Sequence, residues 1–184
     1  MEAESPTPEP IAPDTVPTGS EPIAETDASA PGDLAQFVSF TVADGEYAVD
    51  IMQVREIKGW TDVTQLPNQP DYMRGVLNLR GAIVPIFDLR RRFGLGLTEA
   101  TPIHVVVIVQ LDDRVVGILV DTVSDILSVN ADEIRPVPDV DGRKDQEFLL
   151  GLATVGERMV ALLGIEKLVK ASDLPDQAPG VLAA

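Results

Sequence analysis

The fold is decided by a stretch that the chain carries twice, as YAVDIMQVREI at residues 47–57 and as VGILVDTVSDI at residues 116–126. The two copies align without a gap, with Tyr47 over Val116, and apolar residues recur at matching positions in both. A second ungapped match places GVLNLRGAIVPIFDL (75–89) over GLATVGERMVALLGI (151–165). We therefore predict an internal duplication, in which each half is a set of short β-strands.

Turn signals join these strands into hairpins. ADGE at residues 43–46 separates two alternating segments, and Gly81 permits a tight reversal within the second motif. The run IHVVVIVQL (103–111) is almost entirely apolar, which is typical of a strand buried on both faces. Short helices are expected within residues 69–75 and 164–174. Five strands per half are enough to curl into a small barrel, and two such barrels need a shared core with one cleft between them.

The two ends of the chain differ in composition from its centre. Residues 1–33 hold eight acidic residues and seven of the fifteen prolines, but no Lys or Arg. Such a segment cannot bury enough apolar surface to fold, so we predict a disordered acidic tail, and a shorter one at residues 174–184. The folded region is expected to span residues 34–173, with subdomains at about 34–100 and 101–173 and an exchange of strands between them left open.

Charge and composition exclude several classes of protein. The net charge of −16 repels phosphate backbones, so nucleic acid is not expected as a partner. No apolar run reaches the roughly 18 residues that a membrane helix needs, and the N-terminus lacks the features of a secretory signal. The chain has no cysteine, which excludes disulfides and thiolate chemistry. These features predict a cytoplasmic protein without direct membrane insertion.

Residues that could support catalysis are scarce. His104 is the only histidine, which rules out a two-histidine metal site within one chain. FGLGL (93–97) lacks the lysine of a phosphate-binding loop, and DVDGRKDQE (139–147) has its glycine two positions too early for an EF-hand. We therefore expect no enzyme activity, no cofactor and no metal, and a protein that works by binding.

The ribbon RGVLNLRGAIVPIFDLRRRFG (74–94) is mostly apolar but carries Asn78 and Arg80. Arg80 cannot be fully buried without a charged partner, and Glu56 in the preceding strand of the same half is the nearest plausible carboxylate. If a partner protein covered this ion pair, the pair would fix the orientation of the complex. An alternative, in which the ion pair only ties two strands together, stays open.

Together with YAVDIMQVREIKGW, VVGILVDTVSDIL and GLATVGERMVALLGIEKL, this ribbon closely resembles the CheW family of chemotaxis coupling proteins over about residues 36–170. The resemblance implies a mostly all-β fold of two five-stranded SH3-like barrels packed side by side. It implies a non-enzymatic adaptor that couples the cytoplasmic tips of chemoreceptors to the histidine kinase CheA, in an array beneath the membrane. Neither tail belongs to the family pattern.

The resemblance also assigns partner-binding positions. It implies that Glu56 and Arg80 form a salt bridge near the partner surfaces, with Asn78 in the same ribbon, and that the CheW-like regulatory domain of CheA packs barrel to barrel. The positions expected to line a groove for the receptor helix are Ile51, Val54, Gly75, Val106, Val123 and Ile126. Two alternatives remain, an adaptor of a non-chemotactic receptor–kinase array and a small-molecule sensor that uses the cleft between the barrels.

Overall fold

The structure is a computed structural model, which describes residues 34–138 and 147–169. These described residues belong to one compact unit. The predicted tails at residues 1–33 and 174–184 lie outside the described residues, as does nearly all of the acidic loop at 139–147. The prediction that the tails are disordered therefore stays a prediction.

Short strands make up most of the described part of the chain, which confirms the prediction of a mostly β fold. Its α-helices are two single turns, α1 (Leu89–Arg92) and α2 (Ile165–Leu168), and none of its helices is long and apolar enough to cross a membrane. The expectation of a helix within residues 69–75 was wrong, because this segment forms a turn closed by the Met73 amide donating to the Pro70 carbonyl. The strands are β1 Leu34–Val42, β2 Gly45–Asp50, β3 Val54–Gly59, β4 Met73–Leu79, β5 Ala82–Asp88, β6 Val105–Leu111, β7 Arg114–Val120, β8 Thr122–Asn130, β9 Ile134–Arg135, β10 Leu149–Val155 and β11 Arg158–Leu163.

The strands form two sheets that exchange hairpins between the two halves of the chain. The first sheet has the order β8-β1-β2-β11-β10-β9, and the second sheet has the order β3-β6-β7-β5-β4. Each sheet therefore combines a hairpin from one half with strands from the other half, joined by the parallel pairs β2–β11 and β5–β7. The expected boundary at residues 100 and 101 separates the two repeated halves of the chain, but each sheet contains strands from both halves. That this boundary separates two subdomains stays a prediction.

The predicted duplication is confirmed by irregularities that recur at equivalent places. The bulge after Val54 in β3 is repeated after Val123 in β8, and the first sequence match places these two valines over each other. The bulge before Gly75 in β4 is repeated before Gly151 in β10, the glycines with which the second match begins. Both sheets were therefore built from the same unit, since β-bulges are specific features of a strand and not random defects.

Three apolar clusters form the interior of the described part of the chain, one inside each sheet and one between the sheets. β6 shows how a strand can serve two of them: Val106 and Ile108 face the inside of the second sheet, whereas Val107 and Val109 enter the cluster between the sheets. This arrangement confirms the predicted two-sided burial for Val106–Val109, whereas Ile103 lies outside the strand and is 76% exposed. The cluster between the sheets also contains Phe40 from the first sheet, so the two sheets share a core. Its centre is closed to partners, and only its margin reaches the surface.

Candidate functional site

The predicted ion pair between Glu56 and Arg80 is present. Glu56 lies on the edge strand β3 just after the bulge, and Arg80 lies in the turn between β4 and β5. Their Oε2 and Nη2 atoms are 3.5 Å apart, and the Arg80 side chain is 83% exposed while that of Glu56 is 31% exposed. The pair connects the two edge strands of the second sheet across the opening of that sheet. Its exposure leaves it accessible to a partner.

Asn78 has a clear local role beside this ion pair. Its Oδ1 accepts a hydrogen bond of 2.8 Å from the Gly81 amide, which closes the turn between β4 and β5. Arg80 and Gly81 both have positive φ, at 53° and 90°, as a tight two-residue hairpin turn requires. The amide in the apolar ribbon therefore holds the turn that presents Arg80. Its own side chain is exposed.

A concave depression lies beside the ion pair. It has a volume of about 310 Å³ and opens at the surface between β3 and the turn that follows β4. Arg55, Glu56 and Arg80 contribute its charged lining, and its remaining lining is apolar, from Leu79, Ala82, Val84, Ile108 and Val115. We call it the arginine-rimmed pocket.

Four of the predicted groove positions lie at the margin of the shared core or beside it. Ile51, Val54 and Val123 are half-buried and pack against the cluster between the sheets. Ile126, in the same strand as Val123, is 60% exposed. We call these four residues the seam margin.

The structure adds Met52 to this surface. Met52 lies in the turn between β2 and β3, directly after Ile51, and is 86% exposed. The Asp50 carboxylate accepts a hydrogen bond of 2.8 Å from its amide and fixes the turn. No sequence pattern pointed to this residue, because its repeat counterpart is Asp121 and not another apolar residue.

The structure leaves two of the predicted groove positions without a surface for a partner. Val106 is only 2% exposed, because it points into the cluster inside the second sheet. Gly75 is also buried, and a Cβ on it would collide with the Thr64 carbonyl oxygen of the same chain. Its φ of 139° further disfavours any side chain. Close backbone approach does explain the glycine, as expected, but the approaching backbone is the chain's own.

His104, the one histidine of the sequence, makes contacts that support the fold. The Nδ1 of His104 accepts a hydrogen bond of 3.1 Å from the Thr101 amide, and its Nε2 lies 3.7 Å from Asp121. Arg90 donates to the same Asp121 at 2.9 Å, which ties α1 to the residue between β7 and β8. Among residues 34–138 and 147–169, no group of three or more His, Cys, Asp or Glu side chains is placed to hold a metal ion.

Comparisons with known proteins agree with this architecture. The family model described as the CheW-like domain matches residues 36–173. The chain is 46% identical over 142 residues to a protein of Klebsiella aerogenes named chemotaxis protein CheW, with 76% of this chain and 84% of that protein covered. It is 43% identical over 133 residues to a probable chemotaxis protein CheW of Rhizobium etli, with 72% and 86% covered. A solved structure, that of the scaffolding protein TtCheW from Thermoanaerobacter tengcongensis, superposes with a TM-score of 0.69 at 28% identity and covers 77% of this chain and 91% of that one. The family model and these relatives show that the chain belongs to the CheW family.

Proposed function

We propose that this chain is a non-enzymatic chemotaxis adaptor that couples the cytoplasmic tips of chemoreceptors to the histidine kinase CheA. The observation that supports the proposal is that the protein exposes two features of different chemistry, the apolar seam margin and the Glu56–Arg80 ion pair. An adaptor needs two separate surfaces, because it must hold both partners at once. The proposed location is the cytoplasm, next to the membrane that carries the receptors.

The seam margin fits a receptor helix. A helix buries an apolar stripe of side chains spaced three and four residues apart, and it binds best in a shallow apolar groove. Val54 and Val123 are half-buried over the shared core, and Ile126 adds an exposed aliphatic side chain. Because Val54 and Val123 pack against the shared core, they would bind a helix with little loss of conformational entropy.

The ion pair fits the kinase side of the complex. Arg80 keeps most of its surface in water while it holds Glu56, so a partner that covers both would gain charge-assisted hydrogen bonds of defined direction. Defined direction matters for an adaptor, because the kinase equilibrium responds to a receptor shift only if the geometry between the two is fixed.

Co-sedimentation of receptor-bearing membranes, CheA and the full chain tests the proposal. CheA is expected to sediment with the membranes only when the chain is present. Val54→Asp is expected to lower the recovery of the chain with receptor membranes about tenfold or more, because it places a carboxylate against the apolar stripe of the helix. Val155→Asp is the matched control, because Val155 is a half-buried valine at the margin of the cluster inside the first sheet. Equal loss in both variants, or CheA recovery without the chain, would refute the proposal.

A further inference from the structure

The arginine-rimmed pocket combines apolar walls with a positively charged rim, and the fold does not require this combination. Its walls are aliphatic, from residues of β4, β5, β6 and β7, and its rim carries Arg55 and Arg80 against the single acid Glu56. This excess of positive charge lies on a chain whose net charge is −16. The pocket therefore combines a site for an apolar side chain with a local preference for negative charge.

Both arginines have donors to spare. Arg80 meets Glu56 through one contact of 3.5 Å and is 83% exposed, so most of its guanidinium group faces water. Arg55 is exposed and forms no ion pair within the described part of the chain. A guanidinium group binds a carboxylate through two parallel hydrogen bonds, and either arginine is free to do so.

The repeat shows that the fold can be built without these arginines. The positions that correspond to Arg55 and Arg80 in the other sheet are Ser124 and Gly156. Gly156 has a φ of 61° and Arg80 a φ of 53°, so the two turns share a backbone conformation that glycine adopts more easily than any other residue. The fold therefore does not need an arginine at this turn, and the Arg80 side chain, paired with Glu56 and 83% exposed, is available for binding.

We propose that the arginine-rimmed pocket binds a segment of a partner protein in which an aliphatic side chain lies next to an acidic one. The aliphatic side chain enters between Leu79, Ala82 and Val115, and the adjacent carboxylate binds Arg55 or Arg80. Protein interfaces concentrate their energy in such central pockets, with charged groups at the rim. The inference rests on the proposed adaptor function. It implies that the partner that does not occupy the receptor groove carries an acidic side chain next to an aliphatic one, which we call the anchor.

Short peptides of defined charge test the anchor directly on the full chain. The probe is acetyl-Glu-Leu-Glu-amide, and the controls are acetyl-Lys-Leu-Lys-amide, acetyl-Glu-Ala-Glu-amide and hexanoate, each titrated against the ¹⁵N-labelled protein. The Glu-Leu-Glu peptide is expected to shift the backbone amide resonances of Leu79, Ala82 and Val115, with a dissociation constant of about 1 mM. The lysine peptide and the alanine peptide are expected to bind about tenfold more weakly, because each lacks one of the two required groups.

The arginine variants separate binding from folding. Arg80→Gly is expected to weaken binding of the Glu-Leu-Glu peptide about tenfold. Its melting temperature is expected to stay the same or to rise, since glycine suits this turn. Arg55→Ser is also expected to weaken binding of this peptide. Arg135 is an exposed arginine in the first sheet, and Arg135→Ser is expected to leave binding unchanged.

Three outcomes would overturn the inference: equal binding of the lysine peptide, unchanged binding to Arg80→Gly, or tighter binding of hexanoate than of any peptide, which would assign the pocket to a small carboxylic acid. None of them affects capture of the chain by receptor membranes, which tests the adaptor function independently.

Discussion

Reversing one charge of the Glu56–Arg80 ion pair should impair partner capture far more than folding. Arg80→Glu places two carboxylates on either side of a gap that is now 3.5 Å wide. Because Arg80 is 83% exposed, water screens the interaction, and an exposed pair of this kind contributes only about 0–1 kcal/mol. We therefore expect the free energy of unfolding to fall by about 1 kcal/mol and the melting temperature by about 2–4 °C.

The effect on binding should be larger because a partner removes the water. Truncating one member of a charge pair that is buried in an interface costs about 2–5 kcal/mol, and a reversed charge should cost at least as much. Binding to CheA should weaken by a factor of about 30 or more, since 1.4 kcal/mol corresponds to a factor of ten. Isothermal titration calorimetry against CheA and urea unfolding of the same samples measure the two quantities side by side.

The double variant Glu56→Arg with Arg80→Glu completes the test. It restores an attractive pair, so its stability should return to within about 0.5 kcal/mol of the original protein. Its affinity for CheA should stay low, because the partner now meets each charge in the wrong place. If the double variant bound CheA normally, or if Arg80→Glu alone cost more than about 3 kcal/mol in stability, the pair would act only within the chain and the reasoning would be refuted.

Three further changes test how the fold supports these surfaces. Asp88→Ala should lower the free energy of unfolding by about 3–5 kcal/mol, because this fully buried carboxylate accepts hydrogen bonds from the Thr98 amide and hydroxyl at 2.9 and 2.7 Å. Urea unfolding measures this change. The control Asp71→Ala, at an 81% exposed carboxylate, should leave the free energy of unfolding nearly unchanged. Gly75→Ala should destabilise the protein by about 3 kcal/mol and Gly156→Ala by about 1 kcal/mol, since only the first meets backbone atoms; similar thermal shifts for both would contradict this account. Burial raises the pKa of Tyr47, so the neutral phenol stabilises the fold at pH values below its unfolded pKa of 10.0, and this contribution is lost as the pH rises above that value. Chemical denaturation from pH 8 to about 11 should show a steeper loss of stability in the original protein than in Tyr47→Phe. Parallel curves for the two proteins would contradict this account.

The candidate site was only partly visible in the sequence. The charge logic of Arg80 identified Glu56 correctly, because an arginine in an apolar ribbon needs a carboxylate and few lie within reach. The same reasoning did not find the acceptor role of Asp88, whose partner Thr98 follows it across a loop without any regular spacing. It also missed Met52 and Arg55, because exposure is set by the surroundings of a residue and not by its type.

By itself, the sequence determined the strands, their hairpins and the duplication, because alternation, turn residues and repeated spacing are local properties of the chain. Only the tertiary structure decided which strands share a sheet. Alternation fixes which face of a strand is apolar but not which strand lies beside it, so the exchange of hairpins through the parallel pairs β2–β11 and β5–β7 left no local signal. The same nonlocal pairing buried Val106 inside the second sheet and left Val54 at the margin of the shared core, which is why two similar valines differ in their access to a partner.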